Sequence, residues 1–280
     1  MSQTVVACDG LVHIYRTAKI EAVALQGLDL AVERGEFVAI VGRSGSGKTT
    51  LLNILGGHDR PSAGYANVAG FDLATLPPGQ REAYRRRVGH VLQTPLANLD
   101  RDLSVQENVE LPLLARGIAS SERRNTVGRF LEAFALGPVA RARPSLLSGG
   151  EQQRTALAAA LAAGPEVLLA DEPTAEMDRD GARAALAQLS SLRTEFGTTV
   201  IMVTHDVDMH RVVDWVINIR DGRTSTERRG GREELVVLDR VGRLQLPEQL
   251  VHELGLVGRV RIRREGERIV IEREQKKSDG

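Results

Sequence analysis

Apolar residues follow two rhythms along the chain. Phe37 to Val41, Glu166 to Ala170 and Thr199 to Val203 are short stretches in which nearly every position is apolar. Runs of that length fit strands buried on both faces. Thr49 to Leu55 and Arg183 to Leu192 space their apolar positions at helical intervals instead. Strands alternating with helices predict a parallel α/β sheet. Between about 95 and 163 the strand signals fade, while Arg123 to Leu136 and Glu151 to Ala163 read as helices. A mostly helical subdomain therefore interrupts the sheet domain.

The pattern changes again near the C-terminus. Asp221 to Thr226 is polar and rich in turn formers, and Arg228-Arg229-Gly230-Gly231 follows it. This reads as a linker at 228–234 between a first domain at 1–227 and a module at 235–275. In that module, segments of strand type recur at Leu235 to Leu238, Arg243 to Leu246, Val260 to Arg264 and Ile269 to Glu272. One short helix is expected from Pro247 to Leu254, with proline at its start and Gly255 at its end.

Composition narrows the function classes. Basic and acidic side chains number 37 each, so the whole chain presents no basic field to nucleic acid. A single cysteine excludes a disulfide framework and a four-cysteine zinc site. Val5 to Cys8 looks superficially like a lipoprotein cleavage box, but no apolar signal core precedes it, so Cys8 is expected in the core. The longest apolar stretch, Ala156 to Ala163, is too short to cross a bilayer. The expectation is a cytosolic chain, or one bound to a membrane through another protein. Only Lys19, Lys48, Lys276 and Lys277 are lysines, the other basic residues being arginine, which draws attention to the internal Lys48.

Lys48 sits in Gly42-Arg43-Ser44-Gly45-Ser46-Gly47-Lys48-Thr49, a phosphate-loop pattern with a strand expected before it and a helix after it. The glycines let backbone N–H groups turn toward a triphosphate, and the helix N-terminus adds its dipole. Lys48 supplies charge for the phosphates. Thr49, with Thr50 beside it, supplies hydroxyl oxygen, a hard ligand suited to Mg²⁺. The bland alternative is a glycine turn that binds nothing. A second apolar strand ends in Asp171-Glu172. There, Asp171 can hold Mg²⁺ through water, and Glu172 can take a proton from the attacking water. Taken alone such a pair is mostly a solvated turn; beside a phosphate loop the functional reading takes precedence. Leu147-Ser148-Gly149-Gly150-Glu151 has the spacing of a helix capping box. Capping does not explain two glycines, each costing about 1 kcal/mol in a helix. They make sense if an anion must touch the backbone there, and that anion could be a second molecule's nucleotide.

Together these motifs resemble the ATP-binding cassette (ABC) ATPases, over roughly residues 4–225. The resemblance implies an α/β P-loop NTPase core with a helical subdomain. It places Tyr15 on the adenine, Gln93 at the γ-phosphate and the metal, Ala175 to Asp178 in the D-loop, and His205 as the switch histidine. Leu147 to Glu151 match the family signature, so Ser148, Gly149 and Gly150 join the ATP site. Leu55 to Ser62 and Ser104 to Leu113 are similar to the lipoprotein-release and macrolide-export group. Two positions depart from the family, Ala159 where the signature helix usually has arginine and Glu176 where the D-loop usually has a small or amide residue. Val237 to Pro247, Glu248 to Leu254 and Val260 to Glu272 resemble a second family, the AbrB-like swapped-hairpin domains, implying a small β-rich dimerisation module. Arg259 to Arg264 reads as a phosphate-binding edge or as one solvated strand face.

These resemblances imply an ATPase using ATP and Mg²⁺, working as a homodimer that drives separate membrane-spanning permease subunits. Its place would be the cytoplasmic face of a bacterial cell membrane. Signalling across the envelope without solute transport, or DNA binding through the C-terminal module, are the alternatives.

Overall fold

In the computed structural model, the described residues are 3–16, 21–205, 212–230, 234–239 and 241–273. Strands β1 (Thr4–Arg16) and β2 (Glu21–Glu33) open the chain as a long antiparallel pair, with Cys8 opposite Leu30. Next come β3 (Phe37–Val41), α1 (Lys48–Leu55), β4 (Ala63–Val68), β5 (Phe71–Asp72), α2 (Arg81–Arg87) and β6 (Val88–Val91). The helical subdomain supplies α3 (Val105–Ala115), α4 (Ser120–Ala133) and α5 (Gly149–Ala162). Then β7 (Val167–Asp171), α6 (Arg179–Phe196), β8 (Thr199–Val203), β9 (Trp215–Arg220) and β10 (Arg223–Arg229) complete the core. The chain ends with β11 (Leu235–Val236), α7 (Glu248–Glu253), β12 (Val260–Glu265) and β13 (Arg268–Arg273).

The main sheet has the order β11-β10-β9-β3-β8-β7-β6. Its five strands from β9 to β6 are parallel, as the alternating pattern predicts. Each central strand divides its apolar residues between two cores. Val38, Ile40, Val167, Leu169, Ile201 and Val203 face the antiparallel sheet β2-β1-β4-β5 and α1. Phe37, Ala39, Leu168, Ala170, Val200 and Met202 face α5, α6 and the rest of the helical subdomain. Burial on both faces is why these strands show no polar alternation. Cys8 lies in the first core, where burial and the nearby Asp29 push its thiol up to about 12.

Three sequence expectations need correction. The sheet is mixed, because β10 and β11 add antiparallel to its edge. The expected linker at 228–234 begins inside β10, and β11, assigned by pattern to the C-terminal module, pairs Val236 with Thr226 of the main sheet. Polar composition misled here because the hydroxyls of β10 are satisfied in place. Thr224 Oγ1 donates to the Asp29 carbonyl at 2.7 Å, and Ser225 Oγ to that of Asn218 at 3.0 Å. The strand expected at Arg243 to Leu246 is reduced to one bridge, Leu238 to Leu244. Beyond it, α7 and the β12–β13 hairpin form, but Leu256 is the one hydrophobic residue from 235 onward that is buried among the described residues. A sheet of two strands buries too little to stand alone.

His90 lies in β6 beside His58, with Nδ1 and Nε2 3.0 Å apart at the wall of a groove lined by Leu111, Ala156 and Ala159. Burial, and secondarily the charge of His58, lower the His90 pKa to about 4. Its unfolded value is about 6.5. Between those values the unfolded chain takes a proton that the folded chain refuses, so stability falls as pH drops from about 6.5 to about 4 and loses nothing further to this group below that. Urea midpoints across that window should fall more steeply for the parent than for His90→Asn.

Candidate nucleotide site

The parallel strands deliver their chemistry at one edge, the C-terminal ends where open α/β sheets bind ligands. The turn after β3 is Gly42 to Gly47. Gly47 has φ +102, and a Cβ there would come within 2.6 Å of the Ala24 carbonyl oxygen, so the position demands glycine twice over. A Cβ on Gly42 would collide with the Ile219 carbonyl. No side chain caps α1, whose first N–H groups therefore remain as donors around the loop. Lys48 Nζ folds back to donate to the carbonyls of Gly42 at 2.8 Å and Arg43 at 2.9 Å. Ser46 Oγ is buried without a partner, which is costly unless a ligand completes it.

Asp171 closes β7. Burial, then the charge of Glu172, raises its pKa, and Lys48 opposes that rise. Glu172 follows in a left-handed conformation at φ +48, unusual for a residue with a Cβ. Its N–H donates to Val203 at 3.0 Å, and its Oε2 lies 2.9 Å from Nδ1 of the exposed His205. A strained backbone of this kind costs on the order of 1–3 kcal/mol and collects at functional sites. Nothing in the sequence signals that φ. Gln93 is exposed two residues beyond β6, in a turn held by Asn98, whose Oδ1 accepts from the Leu92 N–H at 2.8 Å. Tyr15, at the end of β1, is exposed, and its hydroxyl lies 3.3 Å from Thr50 Oγ1 and 3.3 Å from Asp59. Arg43, Ser44, Gly45 and Thr49 are accessible at the loop's rim.

Ser148, Gly149 and Gly150 start α5, where the capping box forms as expected. Ser148 Oγ accepts from the Glu151 N–H, and the Glu151 carboxylate accepts from the Ser148 N–H at 2.8 Å. The bonds to Ser148 hold the Glu151 carboxyl below its usual range. The D-loop packs on these glycines, with Glu176 against Gly149 and both Glu176 and Met177 against Gly150. Asp178 ends the loop by capping α6, accepting from the Gly181 N–H at 2.8 Å. One contact escaped sequence reasoning altogether. Arg43 of the loop pairs with Glu248 of α7, across a cavity of about 450 Å³ also lined by Ser46, His205 and Asn218.

A family model described as ABC transporter matches residues 25–175. The lipoprotein-releasing system ATP-binding protein LolD of Chromohalobacter salexigens is 39% identical over 227 residues, which are 81% of this chain and 95% of that protein. This chain belongs to the ABC transporter family. It is an ATP-binding cassette of the ATP-hydrolysing kind. The macrolide export ATP-binding/permease protein MacB of Syntrophobacter fumaroxidans is 42% identical over 211 residues, 74% of this chain and 29% of that protein. The cassette thus spans about a third or less of the macrolide-export relatives it matches. Among solved structures, an ATP-binding cassette captured as a dimer after hydrolysis, with ADP and phosphate, is 35% identical with a TM-score of 0.74. The match covers 81% of this chain and 99% of that one. No helix among the described residues is long and apolar enough to cross a membrane.

The glycine geometry makes its own prediction. Gly47→Ala should lower the denaturation midpoint and abolish binding of a fluorescent ATP analogue, because strain and the Ala24 clash act together. Gly70→Ala, at φ +85 with open space around it, should pay strain alone and bind normally.

Proposed function

We propose that this cassette binds ATP on the loop Gly42 to Thr49 and hydrolyses it in a pair with a second copy, powering membrane-spanning permease subunits. The observation that carries the reading is the convergence of that loop, Asp171, Glu172 and His205 at one sheet edge. The cradle fits a triphosphate, since Ser46 Oγ lacks a partner and no side chain caps the start of α1. The oxygens of Thr49 and Asp171, with Gln93, fit a hard cation. When bound, Mg²⁺ would supply charge neutralisation at the β and γ phosphates.

In this reading Lys48 leaves its two carbonyls for the phosphates, and Tyr15 offers its ring to the adenine. Glu172 accepts the proton of the attacking water, and His205, already 2.9 Å away, holds that carboxylate and meets the γ-phosphate. Ser148, Gly149 and Gly150 receive the ATP carried by the other copy, with Asp178 shaping the loop between them. The likeness to LolD and MacB supports an export or extraction system. The groove of about 460 Å³ beside Leu92 and Asn108 would take the permease segment. That arrangement puts the cassette on the cytoplasmic face of a bacterial membrane.

The tail is read as an AbrB-like dimerisation module. Its support is the apolar surface that it leaves open. Leu238, Leu250, Leu254, Val257, Ile262 and Ile269 are all exposed, as a module completed by a second copy would leave them. Balanced charge argues against DNA as its partner.

Glu172→Gln should keep ATP binding and lose hydrolysis by orders of magnitude, since an amide takes no proton from water. A near-parent rate in a coupled phosphate-release assay, with contaminants excluded, would refute the role of Glu172. Removing residues 232–280 should leave a folded chain that binds ATP but loses its nucleotide-free dimer and acquires a concentration-dependent specific rate, because the paired modules no longer tether two cassettes at a raised effective concentration. Sedimentation of both forms without ATP checks this, and a full-length monomer at tens of micromolar would overturn it.

A further inference from the structure

The D-loop departure at Glu176 has a physical location that the sequence alone does not give. Its side chain lies on the first turn of α5. A Cβ added to Gly149 would stand 2.9 Å from Glu176 Oε2 and 3.1 Å from Glu176 Cβ, and one added to Gly150 would stand 3.5 Å from the Glu176 carbonyl oxygen. The carboxylate therefore covers the backbone that the glycines leave bare. Ser148 and Glu151 consume each other's N–H groups in the capping box, but the N–H groups of Gly149 and Gly150 donate to no described protein atom. Those two donors, at the positive end of a helix of 14 residues, are what an incoming anion would use. Among the described residues no cation is paired with Glu176, and the residue is exposed, so it is free to leave. Arg154, one turn further along α5, has its Nη1 3.5 Å from where a Cβ on Gly150 would stand.

We propose that Glu176 is a resident anion at the signature turn, competing with the γ-phosphate of the other copy's ATP and setting the ATP level at which two cassettes close. The inference rests on the reading that Ser148, Gly149 and Gly150 receive that ATP. The carboxylate takes neither donor, but its charge and bulk lie over the turn that an arriving phosphate would approach. The carboxylate must swing off Gly149 before the phosphate settles, and each closing event carries that cost at both interfaces. A small or amide residue at this position carries no such charge. Glu176 acts here as a gate on substrate engagement and takes no part in the chemical step.

The test uses the full-length chain with three substitutions. Glu176→Gln removes the charge and keeps the shape, and Glu176→Ala removes both. Each should lower the half-saturating ATP concentration of the ATPase by about two- to fivefold, the range set by one charge at a helix terminus. The maximal rate should stay level or rise. Binding of a fluorescent ATP analogue by dilute chains should not change, since the phosphate loop is untouched. In the Glu172→Gln background, adding Glu176→Gln should shift ATP occlusion, measured by rapid filtration, to lower ATP by the same factor. A merely structural role would move the melting temperature and the maximal rate and leave half-saturation in place. The gate is refuted if half-saturation is unchanged or rises in both variants while Glu172→Gln alone still occludes ATP. If Glu172→Gln occludes none at any ATP concentration, the two-copy reading fails and the gate falls with it.

Discussion

The site depends on one crowded meeting of three backbones. Gly47 approaches the Ala24 carbonyl of β2, and Gly222, in the turn between β9 and β10, approaches the same oxygen. The Gly222 N–H donates to the Ser46 carbonyl at 3.0 Å, and the Gly222 carbonyl accepts from the Gln26 N–H at 2.9 Å. The phosphate loop is therefore clamped by the antiparallel sheet on one side and the edge of the main sheet on the other. A loop held this way presents its N–H groups without further ordering on binding, which lowers the entropic cost of capturing phosphate. Glycine at 47 and 222 is the price of that rigidity.

Charge at the sheet edge is arranged around the same loop. Asp171 and Glu172 lie side by side, with the charge of Lys48 opposing their repulsion at Asp171 and the His205 ring in hydrogen-bond contact with Glu172. The two carboxylates differ in environment as well as position. Asp171 continues a fully buried strand, while Glu172 turns out of it through a left-handed residue. That turn aims the second carboxylate at His205 and gives adjacent acids separate surroundings.

Much of this was legible in the linear sequence. The apolar runs at 37–41, 167–170 and 199–203 became central strands because nearly every position in them faces one of two cores. The loop at 42–49, the Asp171-Glu172 pair and the capping box of Ser148 and Glu151 were readable because each is a local arrangement with strict residue demands. The antiparallel sheet was less visible, since β1 and β2 contain bulges that break strict alternation. The strand β10 was hidden because its buried positions are threonine and serine, whose hydroxyls find carbonyl partners only after folding.

The sequence by itself determined the buried central strands and the local motifs at their ends, because burial on two faces, tight turns and helix caps each restrict residue type within a few positions. Tertiary structure alone decided the long-range meetings. It brought Ala24 to Gly47, laid Glu176 on Gly149, and paired Arg43 with Glu248 across 205 positions of chain. Each of these contacts joins residues far apart in the chain, so no local pattern announces the partner. Their significance comes from distances that only the folded sheet order fixes.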